Sequence, residues 1–146
     1  MKFCDIFVDD TKNAKKIPVS EYKEQGKFPI IDQGRAYISG YIDKDDGIYT
    51  NIPAIIFGDH TRIVKYVDSP LFIGADGVKL LNTKMNCNLK YLYYYLKSKE
   101  IPNLGYSRHF KLLKDLTFNI ATTTEQDTIV GKLDKLCLLI AKKQQQ

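Results

Sequence analysis

The segment from residue 106 to residue 111 carries a dense set of side chains that can contact an anionic polymer. Its hydroxyl, guanidinium, imidazole and ammonium groups, which can reach phosphates and base edges, belong to Tyr106, Ser107, Arg108, His109 and Lys111. Leu112, Leu113 and Leu116 follow directly and can anchor the same segment to a hydrophobic core. We therefore expect the core to hold one side of this segment and a ligand to meet the other.

Positive charge is concentrated around this segment. The chain has 146 residues and a formal net charge of +5. Between residues 84 and 115 there are seven cations and two acids, a difference equal to the whole net charge: Lys84, Lys90, Lys97, Lys99, Arg108, Lys111 and Lys114 against Glu100 and Asp115. Concentrated positive charge attracts polyanions, so nucleic acid is favoured over an acidic small molecule. An ordinary solvated face is the alternative.

Three residues elsewhere in the chain have the right chemistry for reading bases. Gln33 and Arg35 lie in a predicted loop between strands, and Arg62 follows the turn formed by residues 59–61. Arginine pairs with guanine and glutamine with adenine. We assign these three residues to base readout, and Arg108 and Lys111 to the nucleic-acid backbone.

These assignments have structural alternatives that the sequence leaves open. Asp32 and Gln33 are equally suited to satisfying the backbone groups of a tight turn. Asp59 and His60 suit a hydrogen-bonded turn, and Arg108 suits an ion pair with a neighbouring carboxylate.

A search for catalytic chemistry finds only a weak candidate. Asp10, Glu21 and Lys23 have a loose spacing that a small magnesium-dependent nuclease could use. No Gly-x-Ser-x-Gly elbow or phosphate-binding glycine loop is present. The three cysteines include no Cys-x-x-Cys pair, so we expect no metal site. Because no catalytic motif is found either, we expect no catalytic residue in this chain.

The elements that must position these residues begin with short apolar runs, rich in β-branched and aromatic residues, which predict strands. The runs are Phe28 to Ile31, Ala36 to Ile42, Ile52 to Phe57, Arg62 to Val67, Leu71 to Ile73 and Val78 to Leu81, with a further strand expected from Leu116 to Ala121. Residues 1–25 predict one short element and then a loop. The expected fold class is α+β: a small curled, mostly antiparallel sheet with flanking helices.

Two helices are marked by their caps. Asn88 can cap a helix that reaches about Lys99, and Thr122 or Thr123 can cap the last helix. In the last helix the apolar residues Ile129, Leu133, Leu136 and Ile140 step by four, three and four, a coiled-coil-like seam. Gly131 in its interior lowers the helix propensity, so this helix should be only marginally stable in isolation. We therefore expect it to pair with a partner helix, in a second copy or in another subunit, rather than to dock on the chain's own sheet.

Composition places the chain among soluble proteins. No apolar run is long enough to span a bilayer, and the first residues lack the apolar core of a signal peptide. We expect a cytoplasmic protein with residues 1–121 as one domain and residues 122–146 as the start of a separate spacer or dimerisation helix.

Three segments resemble the target recognition domain of the specificity subunit of type I restriction-modification systems. They are Phe28 to Gly34 continuing to Tyr41, Ile55 to Arg62 continuing through Phe72 to Val78, and Gly105 to Lys111 followed by a strand and the start of a helix at Glu125-Gln126. The resemblance extends from Phe3 to about Ile140.

The resemblance implies a non-catalytic module that reads one half of a split double-stranded DNA target. It implies methyltransferase and restriction subunits as partners, which would hold S-adenosylmethionine, ATP and Mg, with no cofactor in this chain. A full specificity subunit has two recognition domains, whereas this chain has one. It is therefore interpreted as a half-size subunit able to form a homodimer, or as a truncated piece or degenerate fragment.

Overall fold

The computed structural model describes residues 1–145, so the last residue of the predicted helical segment 122–146 lies outside the described residues. Within them, eight strands form two four-stranded sheets. The strands are β1 (Phe7–Asp9), β2 (Lys16–Ile17), β3 (Phe28–Ile31), β4 (Gly40–Ile42), β5 (Ala54–Gly58), β6 (Val64–Val67), β7 (Phe72–Gly74) and β8 (Val78–Thr83). The α-helices are α1 (Phe3–Ile6), α2 (Leu89–Ser98), α3 (Phe110–Lys114) and α4 (Thr123–Gln144).

The first sheet has the order β1-β8-β5-β6 and is antiparallel throughout. Its strand β5 is buried at every residue. Because side chains alternate across a strand, Ile55 and Phe57 enter one core with α2 and α3, while Ala54 and Ile56 enter a second core shared with the other sheet. The strand β5 therefore holds the two halves of the fold together.

The second sheet has the order β2-β7-β3-β4 and is mixed. Strand β7 runs parallel to both β2 and β3, and only β4 is antiparallel to its neighbour. Parallel neighbours place their carboxyl ends at one edge of a sheet. The loops that leave β3 and β7 therefore start side by side.

The predicted fold class is confirmed, with the sheet divided into two parts that curl around β5. All six predicted apolar runs contain strands, although β4 is shorter than the run from Ala36 to Ile42. The opening residues contain more structure than expected, since α1, β1 and β2 all lie there. Asn88 caps α2 and Thr122 caps α4, as predicted.

The strand predicted from Leu116 to Ala121 is wrong. The backbone N–H groups of Asn119 and Ala121 donate to the hydroxyl oxygens of Tyr95 and Tyr91 on α2, and only Thr117 forms a strand-like bridge, to Lys2. The apolar pattern reflects burial of Phe118 in the first core. Tyrosine side chains satisfy the backbone at Asn119 and Ala121, and Phe118 exchanges backbone hydrogen bonds with Met1, so the pairing does not extend into a ladder.

One buried side chain fastens α4 to the body. Gln126 is 2% exposed. Its amide oxygen accepts from the backbone N–H of Asn88 at 2.9 Å, and its amide nitrogen donates to the carbonyl of Ala121 at 2.7 Å. Since Asn88 also caps α2, this glutamine joins the starts of the two helices.

The predicted seam of α4 is not the face that docks on the body. The side facing α2 carries Gln126, Val130, which packs against the first core, and Asp134, which bonds Tyr94. Within the seam, Leu133 is half-buried, whereas Leu136 and Ile140 are 52% and 49% exposed. The first half of α4 is therefore attached to its own chain, and the apolar side chains of its second half face outward.

Replacing Gln126 with leucine should destabilise the fold by about 2 kcal/mol or more. The substitution keeps the volume but leaves the Asn88 N–H and the Ala121 carbonyl without these partners, and each buried unsatisfied group costs about 1–3 kcal/mol. Urea unfolding followed by circular dichroism measures the loss. The control is Gln144→Leu at the exposed end of α4, which should change stability by less than about 0.5 kcal/mol. Equal stabilities for the two variants would contradict this account of the α4 attachment.

Candidate nucleic-acid interface

Four loops meet at one edge of the fold, and we refer to them together as the loop cluster: residues 33–34, 59–62, 75–77 and 105–109. The loops after β3 and β7 start side by side because those strands are parallel. The loop after β7 leads into β8, whose first residue, Val78, pairs with Gly58 at the end of β5. The turn after β5 is therefore brought to the same place, and the 105–109 segment closes over it.

Gln33 fixes three of these loops through its amide group. The amide oxygen accepts from the backbone N–H of His60 at 2.9 Å and of Thr61 at 3.3 Å. The amide nitrogen donates to the carbonyl of Asp76 at 3.1 Å. A glutamine that reads adenine needs both of these atoms, so we remove Gln33 from the expected base readers and assign it to holding the loops.

Asp59 attaches the fourth loop. This residue is 2% exposed, and its two carboxylate oxygens accept from the backbone N–H of Phe110 at 2.8 Å and from the guanidinium of Arg108 at 3.0 Å. Burial acts to raise the pKa of this carboxyl, but the hydrogen bonds from Phe110, Arg108 and His109 outweigh it and hold the pKa below its usual value. The carboxylate is therefore charged at neutral pH.

His109 lies in the interior, with no exposed surface. Its Nε2 accepts from the backbone N–H of Leu104 at 3.1 Å, so Nδ1 must carry the proton that it donates to the carbonyl of Asp59 at 2.9 Å. Both ring nitrogens are used, and the ring is the neutral Nδ1–H tautomer. The expectation that His109 contacts DNA is corrected: its ring is buried and holds the loop in place.

The remaining predicted residues face the surface. Arg35 and Lys111 are exposed and have no hydrogen-bond or salt-bridge partner within residues 1–145. Arg108 forms an ion pair with Asp59, which is the structural alternative expected for it. Its side chain is nevertheless 68% exposed, so the guanidinium remains accessible to a ligand. The hydroxyl of Ser107 donates to the carbonyl of Leu104 at 3.0 Å.

Arg62 combines a surface position with an unusual backbone. Its φ is +64°, in the left-handed region that residues other than glycine rarely adopt. One guanidinium nitrogen donates to the carbonyl of Ile101 at 2.7 Å. A guanidinium has five N–H donors, so this contact orients the side chain and leaves others for a ligand.

An aromatic pair forms the outer surface of the loop cluster. The rings of His60 and Tyr106 are stacked, with centroids 4.3 Å apart and an angle of 4° between planes. Tyr106 is 80% exposed, and its hydroxyl donates to the carboxylate of Asp76 at 3.3 Å. The outer face of the tyrosine ring is therefore a rigid flat surface beside Arg108.

The nuclease alternative finds no support in the geometry. Lys23 pairs with Asp43 at 2.9 Å, and the carboxylate of Asp10 accepts from Tyr49 and Asn13. Among residues 1–145 no three His, Cys, Asp or Glu side chains lie close enough to hold a metal ion. Asp10, Glu21 and Lys23 therefore do not form a metal site.

Sequence reasoning missed the organising role of Asp59. The sequence predicts only a hydrogen-bonded turn for Asp59 and His60, whereas the side chain and the carbonyl of Asp59 together hold residues 108–110. The sequence Gly58-Asp59-His60 does indicate such a role, because a glycine followed by an aspartate at a strand end is typical of a turn in which the side chain binds backbone N–H groups. What the order does not reveal is that its partner lies fifty residues later in the chain.

Comparison with known proteins gives one consistent family. The profile of the type I restriction modification DNA specificity domain matches residues 2–146. The type I restriction enzyme EcoR124I/EcoR124II specificity subunit of Escherichia coli is 31% identical over 87 residues, which cover 56% of this chain and 21% of that protein.

Solved structures share the fold. A chain from a structure that describes complex assembly and conformational transition of the type I R-M system has a TM-score of 0.60 at 18% identity, over 95% of this chain and 40% of that one. The type I restriction-modification S subunit from M. genitalium has a TM-score of 0.54 at 21% identity, over 98% and 40%. The chain thus spans less than half of the length of these relatives.

Replacing Gly77 with alanine should break the loop cluster. Gly77 has a φ of +65°, and a Cβ there would lie 2.3 Å from the Gln33 amide nitrogen and 2.7 Å from the His60 ring. The left-handed backbone alone costs about 1–2 kcal/mol for alanine. The new methyl group must also push the Gln33 amide out of its hydrogen bonds, so the free energy of unfolding should fall by about 2 kcal/mol or more.

Gly105→Ala is the matched control for this prediction. Gly105 has a φ of +73°, yet a Cβ there meets nothing within 4 Å. It carries the same backbone cost without the crowding, so Gly77→Ala should lose at least about 1 kcal/mol more in urea unfolding. Equal losses would show that the close contact with Gln33 contributes nothing.

Proposed function

The chain belongs to the type I restriction modification DNA specificity domain family, and from this premise we propose that it binds double-stranded DNA in a sequence-dependent manner. The observation that carries the proposal is the convergence of four loops, distant in sequence, into one rigid edge that presents Arg35, Arg62, Arg108 and Lys111. A rigid scaffold under exposed cations is what readout requires, because base contacts depend on fixed side-chain geometry.

Residue roles within the proposal follow from the contacts. Arg108 and Lys111 bind phosphates, since they are exposed and lie on the segment that Asp59 fixes. Arg35 and Arg62 read base edges, where arginine suits guanine. Tyr106 offers its outer ring face to the sugar-phosphate backbone. The hydroxyl of Ser107 is used within the loop, where it donates to the carbonyl of Leu104, so Ser107 shapes the segment that carries Arg108.

The module acts without chemistry of its own in this proposal. Residues 1–121 read the DNA, and the helix from residue 122 sets the distance to a second recognition domain and contacts the methyltransferase and restriction subunits in the cytoplasm. S-adenosylmethionine, ATP and Mg belong to those subunits. None of the helices in residues 1–145 is long and apolar enough to cross a membrane.

A second copy of the chain is the partner that we propose for the exposed part of α4. The seam residues Leu136 and Ile140 are about half exposed, beside Leu139 at 52%. Single recognition domains joined by such a helix form a unit with two domains, and this supplies the second half of a split target. Two-fold pairing through one self-complementary surface is the commonest way in which proteins assemble.

Arg108→Ala should weaken binding to every duplex sequence. Removing one phosphate contact lowers the steepness of the salt dependence, the slope of log K against log salt concentration, by about 1. Fluorescence anisotropy with a random-sequence duplex at several salt concentrations measures this slope. Lys44→Ala is the control, because Lys44 follows β4 at the opposite end of the second sheet from Gln33. An unchanged slope in Arg108→Ala would contradict the assignment of Arg108 to the backbone.

Leu136→Asp should abolish pairing through α4. A charge placed in an apolar helix interface is buried without a partner in the dimer but is solvated in the monomer. Sedimentation equilibrium over a range of concentrations should give a dimer for the unaltered chain and a monomer for the variant. Leu138→Asp, exposed but outside the seam, should still form the dimer. A monomeric unaltered chain at all concentrations would rule out self-pairing.

A further inference from the structure

A groove runs between β6 and α2, beside the loop cluster, and we call it the tyrosine groove. It consists of two adjoining clefts of about 640 Å³ and 480 Å³ that share Ile63, Val64 and Lys97 in their walls. The first cleft opens at Thr61 and Arg62 of the loop cluster, and the second ends at Cys137 of α4. The groove therefore connects the loop cluster with α4.

The walls of the groove are mainly cationic and aromatic. Its lining charges are those of Arg35, Arg62, Lys65, Lys90, Lys97 and Lys99 against Glu100, and Asp134 joins at its far end. Lys65 is buried and donates to the carbonyls of Asp32 and Ala36. Arg35 has no partner within residues 1–145, and Lys97 contacts only the hydroxyl of Tyr93, so these two cations are available to a ligand.

The tyrosines support the lysines. The ammonium of Lys97 lies 5.3 Å from the centre of the Tyr93 ring, and that of Lys90 lies 5.4 Å from the centre of the Tyr66 ring. A cation over a ring face is attracted by the ring. The ammonium of Lys90 occupies a ring face on which a base would stack, whereas that of Lys97 lies at the hydroxyl end of Tyr93. Ammonium groups among the tyrosines make the groove better suited to phosphates than to unpaired bases.

The spacing of the cations on α2 fits a phosphate chain. Lys90 and Lys97 are seven residues apart, which is two turns and about 10 Å along the helix. A DNA strand rises about 3.4 Å per nucleotide. The distance between the two lysines exceeds this axial rise about threefold, so the two ammonium groups can meet different phosphates of one strand.

Asp134 of α4 limits the groove at its far end. Its carboxylate lies 2.9 Å from the ammonium of Lys90 and accepts from the hydroxyl of Tyr94. The hydrogen bond from Lys90 to this carboxylate raises the pKa of Lys90, so the ammonium stays charged. The charge of Lys90 is balanced by α4, whereas the charges of Lys97 and Arg35 are not.

We propose that the tyrosine groove binds the phosphate backbone of duplex DNA as it leaves the loop cluster, and that Asp134 weakens the groove's hold at its α4 end. This inference rests on the proposed function and adds to it a second contact surface outside the loop cluster. Arg35 lies where the two surfaces meet, since it lines the groove and follows Gln33 directly. The position of α4 also affects DNA affinity, because α4 supplies the carboxylate that neutralises Lys90.

Two substitutions test the groove with opposite expected signs. Lys97→Ala should lower the salt-dependence slope by about 1, so that the loss of affinity between about 50 and 200 mM salt becomes about fourfold smaller. Asp134→Asn keeps a hydrogen-bond acceptor for Tyr94 but releases Lys90. This substitution should raise the slope by up to about 1 and tighten binding at low salt by up to about fourfold. Asp46→Asn is the matched control, because it adds the same net charge beside Lys44, away from the groove, and should change the slope less.

The measurement uses fluorescence anisotropy of the whole chain with a random-sequence duplex, with Lys44→Ala as the matched control and circular dichroism to confirm folding. Unchanged slopes in Lys97→Ala and Asp134→Asn, while the unaltered chain binds and Arg108→Ala weakens binding, would overturn the groove and leave the proposed function standing. Failure of the unaltered chain to bind any duplex at low salt would overturn the proposed function, and the groove with it.

Discussion

The buried carboxylate of Asp59 is the interaction on which the loop cluster depends. It lies at the end of β5, the strand that contributes to both hydrophobic cores, and it fixes the start of α3 by accepting from the Phe110 N–H. The backbone of the same residue donates to Gly77 and accepts twice from His109. One residue thus ties the β5 turn to the loop between the two sheets and to the 105–109 segment. A charged group can be buried in this way because hydrogen bonds to both of its oxygens replace water.

The polar residues of this region divide into those that bind other parts of the protein and those that remain free at the surface. Gln33, Asp59 and His109 have their polar atoms used by the protein, and they hold loops in position. Arg35, Arg108 and Lys111 keep donors free at the surface. In the proposed function the first group keeps the second in register, so that a change in an interior residue affects binding through geometry. The tyrosine groove extends the same surface toward α4, whose first half is fixed to α2 and whose second half has exposed apolar side chains.

Much of the fold was predictable from local signals, whereas the site was predictable only in part. Caps at Asn88 and Thr122 and the β-branched runs are local, and they gave correct elements. The segment after Leu116 failed because its apolar pattern is that of a strand, while its backbone partners are the hydroxyls of Tyr91 and Tyr95. Arg108 and Lys111 were expected at the surface and lie there. His109 and Gln33 have the same chemistry as DNA-reading residues, and only the tertiary contacts show that their atoms are already used. For the groove, the spacing of Lys90, Tyr94 and Lys97 indicates only that they share one face of a helix. The other wall comes from β6 and the loop at Arg35, which are distant in sequence.

Selection of bound duplexes from a randomised DNA library tests most directly whether the loop cluster reads sequence. The account predicts that the unaltered chain enriches one short motif, and that Arg62→Ala relaxes the preference at one or two positions of that motif while the others persist, because one arginine reads one or two bases. Enrichment of no motif by a folded chain that still binds DNA would contradict sequence readout. An identical motif for the variant would contradict the assignment of Arg62.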